Sequence, residues 1–411
     1  MHKRAEAASL IVNSFAINGI ELTLLRNITE VESGKYRDLD FILLDNKIND
    51  LSPSQIQSDR FLFIKKIERF RFMQYIIFDR EISEVFILDF WDGLHNKGLP
   101  YYINNIQLNL KVNRKRLIPC LSEKTGNLIA ITKCITQSGQ IKDKYIDDSI
   151  VNIGTDLIAE FGYDYTKLLE KSKISRFLRH LHASRYHIVN LFRWLVSFTN
   201  HYFKKNLRVV YILGPDGCGK TSLAKYLIDG DSLSAEIEYY HGRIPFLPRA
   251  NRLKPGNFNR LNVKEEPNLN AHIEQPHIDE GKFTLLHLMY YVVDGLLSSI
   301  KLFTKRYKDL IVISDRSPYD IVARDNYDHL PGIFKEMLIW SAPRPDICVL
   351  LTAPAEVIHA RKPELSEEKI DYQYALYRAG IGHRITREID TQQHKKTIND
   401  FMELASEYYK A

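Results

Sequence analysis

The residues Gly214-Pro215-Asp216-Gly217-Cys218-Gly219-Lys220-Thr221 carry the strongest chemical signal in the chain. Their spacing fits G-x-x-x-x-G-K-[ST]. Glycines let backbone N–H groups turn inward and wrap a phosphate, and a following helix adds its positive N-terminal end. Lys220 brings a point charge to β and γ phosphate oxygens, and Thr221 offers a hydroxyl to Mg²⁺. Ser222 follows in the same first turn. The expected ATP-binding set is Gly214, Asp216, Gly217, Cys218, Gly219, Lys220, Thr221 and Ser222. A thiol at such a loop also suggests sensitivity to oxidation or alkylation at Cys218.

Two further constellations lie downstream. Asp315-Arg316-Ser317 follows the apolar run Leu310–Ser314. A carboxylate at the C-terminal edge of a parallel strand points into a ligand crevice. Asp315 can hold Mg²⁺ through water or orient an acceptor, and Arg316 can grip an acceptor phosphate bidentately. A buried structural salt bridge is the plainer alternative. Arg361 and Lys362 close the segment that follows the apolar run Asp346–Thr352. They are either phosphate-facing cations or the solvated basic end of a helix. His241 and Arg243 are candidates for the acceptor side, with structural roles equally open.

The N-terminal half offers a different set. Asp38 and Asp40 sit at period 2 at the start of a strand and share one face. Asp89 ends another strand-like run. Together they can hold a divalent cation.

Elements must position these groups. At roughly 100–200 residues per domain, 411 residues suggest two domains. We divide the chain into 1–150, an α/β domain; 151–206, a basic helical linker; and 207–411, a P-loop domain. In the first, strands are expected at Ile20–Leu25, Leu39–Leu44, Tyr75–Phe78, Glu84–Asp89 and Leu128–Lys133, with a helical stretch at Arg60–Phe72. In the last, strands at Leu207–Leu213, Asp309–Asp315 and Asp346–Thr352 alternate with helices from about Thr221 and at 283–305, 331–341, 354–362, 366–380 and 394–409. Such alternation implies a parallel sheet flanked by helices.

The second half resembles the thymidylate-kinase family. The loop Gly-Pro-Asp-Gly-Cys-Gly-Lys-Thr is similar to that family's phosphate loop, with Cys218 in place of its usual serine. The resemblance implies that Asp216 faces the acceptor side. Asp315-Arg316 matches the family's Asp-Arg-Tyr, with Ser317 in place of the tyrosine. The segment holding Arg361 and Lys362 matches its mobile lid, whose cations close over the phosphates. With His241-Gly-Arg-Ile-Pro-Phe-Leu-Pro and Arg344-Pro-Asp346, the set resembles a divergent branch found among bacterial surface-polysaccharide genes. The resemblance covers about 207–395. It implies a P-loop kinase fold, ATP and Mg²⁺, catalytic roles for Lys220, Asp315, Arg316, Arg361 and Lys362, and a nucleotide monophosphate or sugar-type acceptor. Related kinases often pair, so a homodimer is open.

The first half resembles a nucleotidyltransferase fold, in which three carboxylates hold two metals. It departs from that pattern, because no Gly-Ser precedes Asp38. A live metal site, a degenerate substrate-binding version and a chance Asp-x-Asp all stay open. The function is therefore a phosphotransferase, with a two-activity enzyme or a non-catalytic ATP-binding switch as alternatives.

Composition sets the remaining bounds. Hydrophobic residues are 45% and charged residues 26%, as in an ordinary globular protein. Cys120, Cys134, Cys218 and Cys348 are scattered, which argues against structural zinc or a disulfide framework and for reduced thiols of a cytoplasmic protein. Residues 5–18 are too weakly apolar for a signal peptide. Between Lys167 and Arg208 stand ten lysines and arginines against Glu170, while the whole chain carries +6. That window can be a solvated connector, or a contact with the inner face of an anionic membrane through Phe192, Trp194, Leu195 and Phe198. Nucleic acid is the least supported partner, because no recognition motif accompanies the charge.

Overall fold

Runs of apolar residues build the central strands of both sheets. The computed structural model describes residues 3–25, 28–36, 38–43, 48–56, 58–69, 72–91, 95–96, 99–100, 112–137, 141–146, 148, 150–156, 192, 196, 199, 207–229, 236–242, 244, 246–247, 285–304, 310–315, 317–322 and 332–410. The chain divides into two units, Met1–Lys204 and Lys205–Ala411.

The first unit begins with α1 (Lys3–Ile17), β1 (Leu22–Leu24), α2 (Ile28–Glu32) and β2 (Asp38–Leu43). It continues with β3 (Phe61–Arg69), β4 (Phe72–Asp79) and β5 (Glu84–Trp91). A ribbon of β6 (His95–Asn96) and β7 (Leu99–Pro100) precedes β8 (Val112–Asn113), β9 (Cys120–Leu121) and α3 (Glu123–Gln137). The seven-stranded sheet runs β3-β4-β5-β2-β1-β9-β8. It is mixed: β2–β5 and β1–β9 are parallel, and the other neighbours are antiparallel. On β2, Leu39, Phe41 and Leu43 join a core with Ala8, Ile11 and Phe15 of α1. The ring of Phe90 lies 5.5 Å from Phe15, 5.9 Å from Phe41 and 5.2 Å from Tyr75. Strand alternation therefore sends Asp38 and Asp40 to the other face.

Two expected elements are corrected. The stretch Arg60–Phe72, expected as helix, is mostly strand β3, paired antiparallel with β4 around a bulge at Phe63/Lys65. The apolar run Phe61–Ile64 has no period of its own, so pairing with β4 decides its state. Leu128–Lys133, expected as strand, lies inside helix α3. Ser122 heads that helix: its hydroxyl accepts from Thr125 N at 3.1 Å. That N-cap outweighs the β-branched run behind it.

The second unit is α/β, with a parallel sheet flanked by helices. Its order is β10 (Val209–Leu213), α4 (Lys220–Asp229), β11 (Glu236–Tyr240), α5 (Leu285–Thr304), β12 (Leu310–Ser314), α6 (Pro318–Val322) and α7 (Gly332–Ser341). Then come β13 (Ile347–Thr352), α8 (Ala355–Arg361), α9 (Glu367–Ile381), β14 (Arg387–Asp390) and α10 (His394–Lys410). The sheet runs β11-β12-β10-β13-β14, and every pairing is parallel. Every residue of β10 and β12 is buried. At the opposite end from the glycine loop, Asp346 accepts from Arg208 N at 2.8 Å, Val209 N at 3.0 Å and Tyr408 Oη at 2.9 Å. That carboxylate anchors the start of β10. Strand β14 was not anticipated, because only Ile389 in it is buried.

Most of the basic window lies outside the described residues. Of its apolar candidates, Trp194, Leu195 and Phe198 do too, while Phe192 is described and 65% exposed. Among the described residues, no helix is long and apolar enough to cross a membrane.

Helices α5 and α7 approach closely at Gly295, where an added Cβ would stand 2.8 Å from the Ser341 carbonyl oxygen. Backbone cannot yield as a flexible side chain can. Gly295→Ala should therefore destabilise the unit by about 1–3 kcal/mol, as overpacking does. Thermal or denaturant unfolding checks this, and an unchanged midpoint would exclude the close approach.

Candidate functional site

The glycine loop leaves the C-terminal end of β10 and enters α4. Gly214 has φ 138° and Gly219 has φ 100°, a region that side chains other than glycine rarely adopt. At Gly214 space is also short, since a Cβ would sit 2.8 Å from the Leu351 carbonyl oxygen. Lys220 is 7% exposed. Its Nζ donates to Gly214 O at 2.6 Å and Pro215 O at 2.8 Å, and lies 3.5 Å from Asp216 Oδ1. The ammonium thus braces the loop it belongs to.

Asp216 stands between two cations. Lys362 Nζ is 3.7 Å from its Oδ2 and 3.0 Å from Glu364. Arg361 ends helix α8, which fully buried Ile358 holds in place, and Lys362 is the extended residue just after it. Arg361 donates to the Thr391 carbonyl at 3.3 Å. A cleft of about 790 Å³ opens beside the loop, lined in part by Gly217, Gly219, Ser222, Tyr226, Arg361 and Gln392. That size is typical of small-molecule sites. Arg361 therefore faces the same space as the loop, on the side of β14 and α10.

Asp315 extends the strand end of β12 and is 1% exposed. Its Oδ2 accepts from Tyr239 Oη at 2.6 Å and meets His241 Nδ1 at 3.0 Å. Both partners come from β11 or the residue just after it, on the far side of β12 from the glycine loop. Oδ1 is buried and has no partner among the described residues. Arg316 and Arg243 lie outside the described residues.

Reading the sequence alone missed several participants. Tyr377 donates to Asp320 Oδ1 at 2.5 Å and reaches Gly214 O at 3.4 Å. It props the loop from behind with a buried carboxylate. Tyr239, Thr391 and Gln392 were missed as well. The available signal was position, since Thr391 and Gln392 directly follow the end of a parallel strand, where crevices form.

In the first unit, Asp38, Asp40 and Asp89 converge. Asp40 and Asp89 are register partners on parallel β2 and β5. One oxygen from each of the three lies within 4.8 Å of the others. Gln74 Nε2 donates to Asp89 Oδ1 at 2.7 Å and orients it. Acceptor-only oxygens at this spacing suit a hard divalent cation.

Cys218 corrects an expectation. It is fully buried, and burial pushes its thiol up more than nearby Lys220 pulls it down. The nucleophilic thiolate is thereby suppressed. N-ethylmaleimide should leave Cys218 unmodified in the folded protein and label it after denaturation, as read by peptide mass spectrometry. Rapid labelling of the native chain at Cys218 would contradict this.

No protein-family model matches the chain, and no curated protein matches it either. Among solved structures, thymidylate kinase from Ehrlichia chaffeensis is similar at 17% identity, over 49% of this chain and 98% of its own, with a TM-score of 0.30. The protein APE1195 is similar at 16% identity, over 49% of this chain and 96% of its own, with a TM-score of 0.25. At these scores the likeness carries no weight beside the site's own geometry.

Proposed function

We propose that the second unit is an ATP-dependent phosphotransferase acting on a nucleotide monophosphate or a sugar-type acceptor, with a role in surface-polysaccharide synthesis among the uses it suits. The observation that carries this reading is the glycine loop between β10 and α4, with Lys220 inside it and a cleft beside it. Lys220 would exchange a contact with its own loop for a phosphate oxygen. Asp216 is its longest contact and already has Lys362 as a second cation, so that contact is the easiest to release. Arg361 would close on the phosphates from the cleft's other wall. Phosphoryl transfer needs positioning and charge neutralisation more than covalent help, and these cations supply both.

The donor set fits Mg²⁺. The Thr221 hydroxyl is exposed at the head of α4, with no intramolecular hydrogen bond among the described residues. One hydroxyl, phosphate oxygens and water make the coordination this ion takes. Thr221 would hold it, and the ion would neutralise charge on the β and γ phosphates. Asp315, with Oδ2 turned to β11, belongs in this reading to the acceptor side.

The test is ATP consumption by the purified full chain against dTMP, other nucleoside monophosphates, free sugars and lipid-linked sugars. Transfer should fall at least 100-fold in Lys220→Ala, the scale of losing a main electrostatic contact in a transition state. Clear ATP binding with no turnover in any reaction would favour a binding switch instead.

A second reading concerns the first unit, and the convergence of Asp38, Asp40 and Asp89 supports it. In it, the three carboxylates hold divalent cations for nucleotidyl transfer. Pyrophosphate release from a nucleoside triphosphate, lost in Asp38→Ala/Asp40→Ala, is the expected outcome. Unchanged release in that double variant would remove the reading.

A further inference from the structure

The pairing of Asp315 with His241 takes no part in the ATP contacts proposed above. Asp315 Oδ2 is a carboxylate oxygen, which only accepts, so the His241 nitrogen facing it at 3.0 Å carries the proton. In the neutral ring the lone pair then sits on Nε2. Among the described residues Nε2 has no partner, and the imidazole side chain is 42% exposed over a carboxylate that is 1% exposed. Asp315 Oδ1 remains buried without a partner there. A buried polar atom so placed calls for an explanation, and a catalytic role is one.

The loop that carries His241 is fixed on three sides. Ser314 Oγ donates to Gly242 O at 2.6 Å. Ser298 Oγ donates to Ile244 O at 2.6 Å. Asp294, buried in α5, accepts from Phe246 N at 3.0 Å and Leu247 N at 2.5 Å. Preorganisation of this kind is what a reacting group requires. Position fits too. β11 lies two strands from β10, so His241 stands about 10 Å across the sheet edge from the strand that feeds the phosphate loop. That interval can hold a transferring phosphoryl group and its acceptor.

We infer that His241, held by Asp315, is the base that takes the proton of an acceptor hydroxyl, so that the acceptor is an alcohol rather than a phosphate. This rests on the phosphotransferase reading. A phosphate monoester has its second pKa near about 6 and is already anionic at neutral pH. It needs no base, and a buried carboxylate behind the imidazole would repel it. A hydroxyl must lose its proton as it attacks. In the step, the acceptor oxygen bonds to Pγ of ATP while the bond from Pγ to the β,γ-bridging oxygen breaks. ADP leaves with that electron pair. The hydroxyl proton passes to His241 Nε2 and then to solvent. Asp315 is a positioning residue, acting through the ring.

The experiment uses the full chain with Mg²⁺ and ATP. Probes are glucose, N-acetylglucosamine and thymidine as hydroxyl acceptors, water as the minimal one, and dTMP as the phosphate acceptor. Products are read by phosphorus NMR. Turnover with hydroxyl acceptors, water included, should drop about 100-fold or more in His241→Ala, the usual weight of a general base. His241→Gln should behave alike, with ATP affinity and the circular-dichroism spectrum unchanged. Added imidazole should restore part of the His241→Ala rate. Asp315→Asn should lower kcat and leave KM for ATP unchanged. Conversion of dTMP to its diphosphate, full turnover in both His241 variants, or no imidazole rescue would overturn the inference and leave the phosphotransferase reading standing. No ATP turnover by the unaltered protein with any probe would overturn both.

Discussion

Parallel pairing of β11, β12 and β10 brings three strand ends to one edge. In the register, Ser314 of β12 is partnered by Tyr240 on one side and Tyr211 on the other. The next residues along β11 and β12 are His241 and Asp315, and β10 runs on into Gly214. No side chain in this group could find its partner by local sequence. Because strand side chains alternate with period 2, a slip of one residue would turn Asp315 to the opposite face. The buried apolar runs of β10 and β12 prevent that slip, so the core fixes the polar edge.

The same logic operates in the first unit with a different sheet. There β2 and β5 are parallel within an otherwise largely antiparallel array, and that pairing places Asp40 opposite Asp89. The apolar half of each strand faces α1, which leaves the carboxylates on the face away from that core. A third strand contributes Gln74, which orients Asp89 by a hydrogen bond rather than adding charge. A neutral donor among like charges eases their mutual repulsion without neutralising the site.

Legibility in the sequence followed the range of the interactions. The glycine loop was legible because its chemistry is local: phosphate wrapping demands glycine and lysine at fixed spacing. The strands β10, β12 and β13 were legible as short apolar runs, and the Asp-x-Asp pair as a period-2 signal. Asp315 was legible by its place after a strand, but its partners were not. Tyr239 and His241 reach it from 76 and 74 residues away. β3 and α3 were misread because short apolar runs suit either state, and a hairpin partner or a single capping serine settles which. β14 escaped because an edge strand with one buried residue has almost no hydrophobic pattern to read.

Helix α5 shows why polar residues inside an apolar pattern merit a chemical reading. It is predominantly apolar, yet Asp294 and Ser298 are buried on it four residues apart, one turn along the same face. An isolated buried carboxylate would be neutralised or excluded. Asp294 remains because two backbone N–H groups of the His241 loop donate to it, and Ser298 because its hydroxyl serves a carbonyl of that loop. The helix thus uses its polar residues to hold a loop in place rather than to solvate a surface. Gly295, between them, lets the same turn press against α7 from another side. One turn of helix therefore connects close packing in the interior to the placement of the imidazole at the sheet edge.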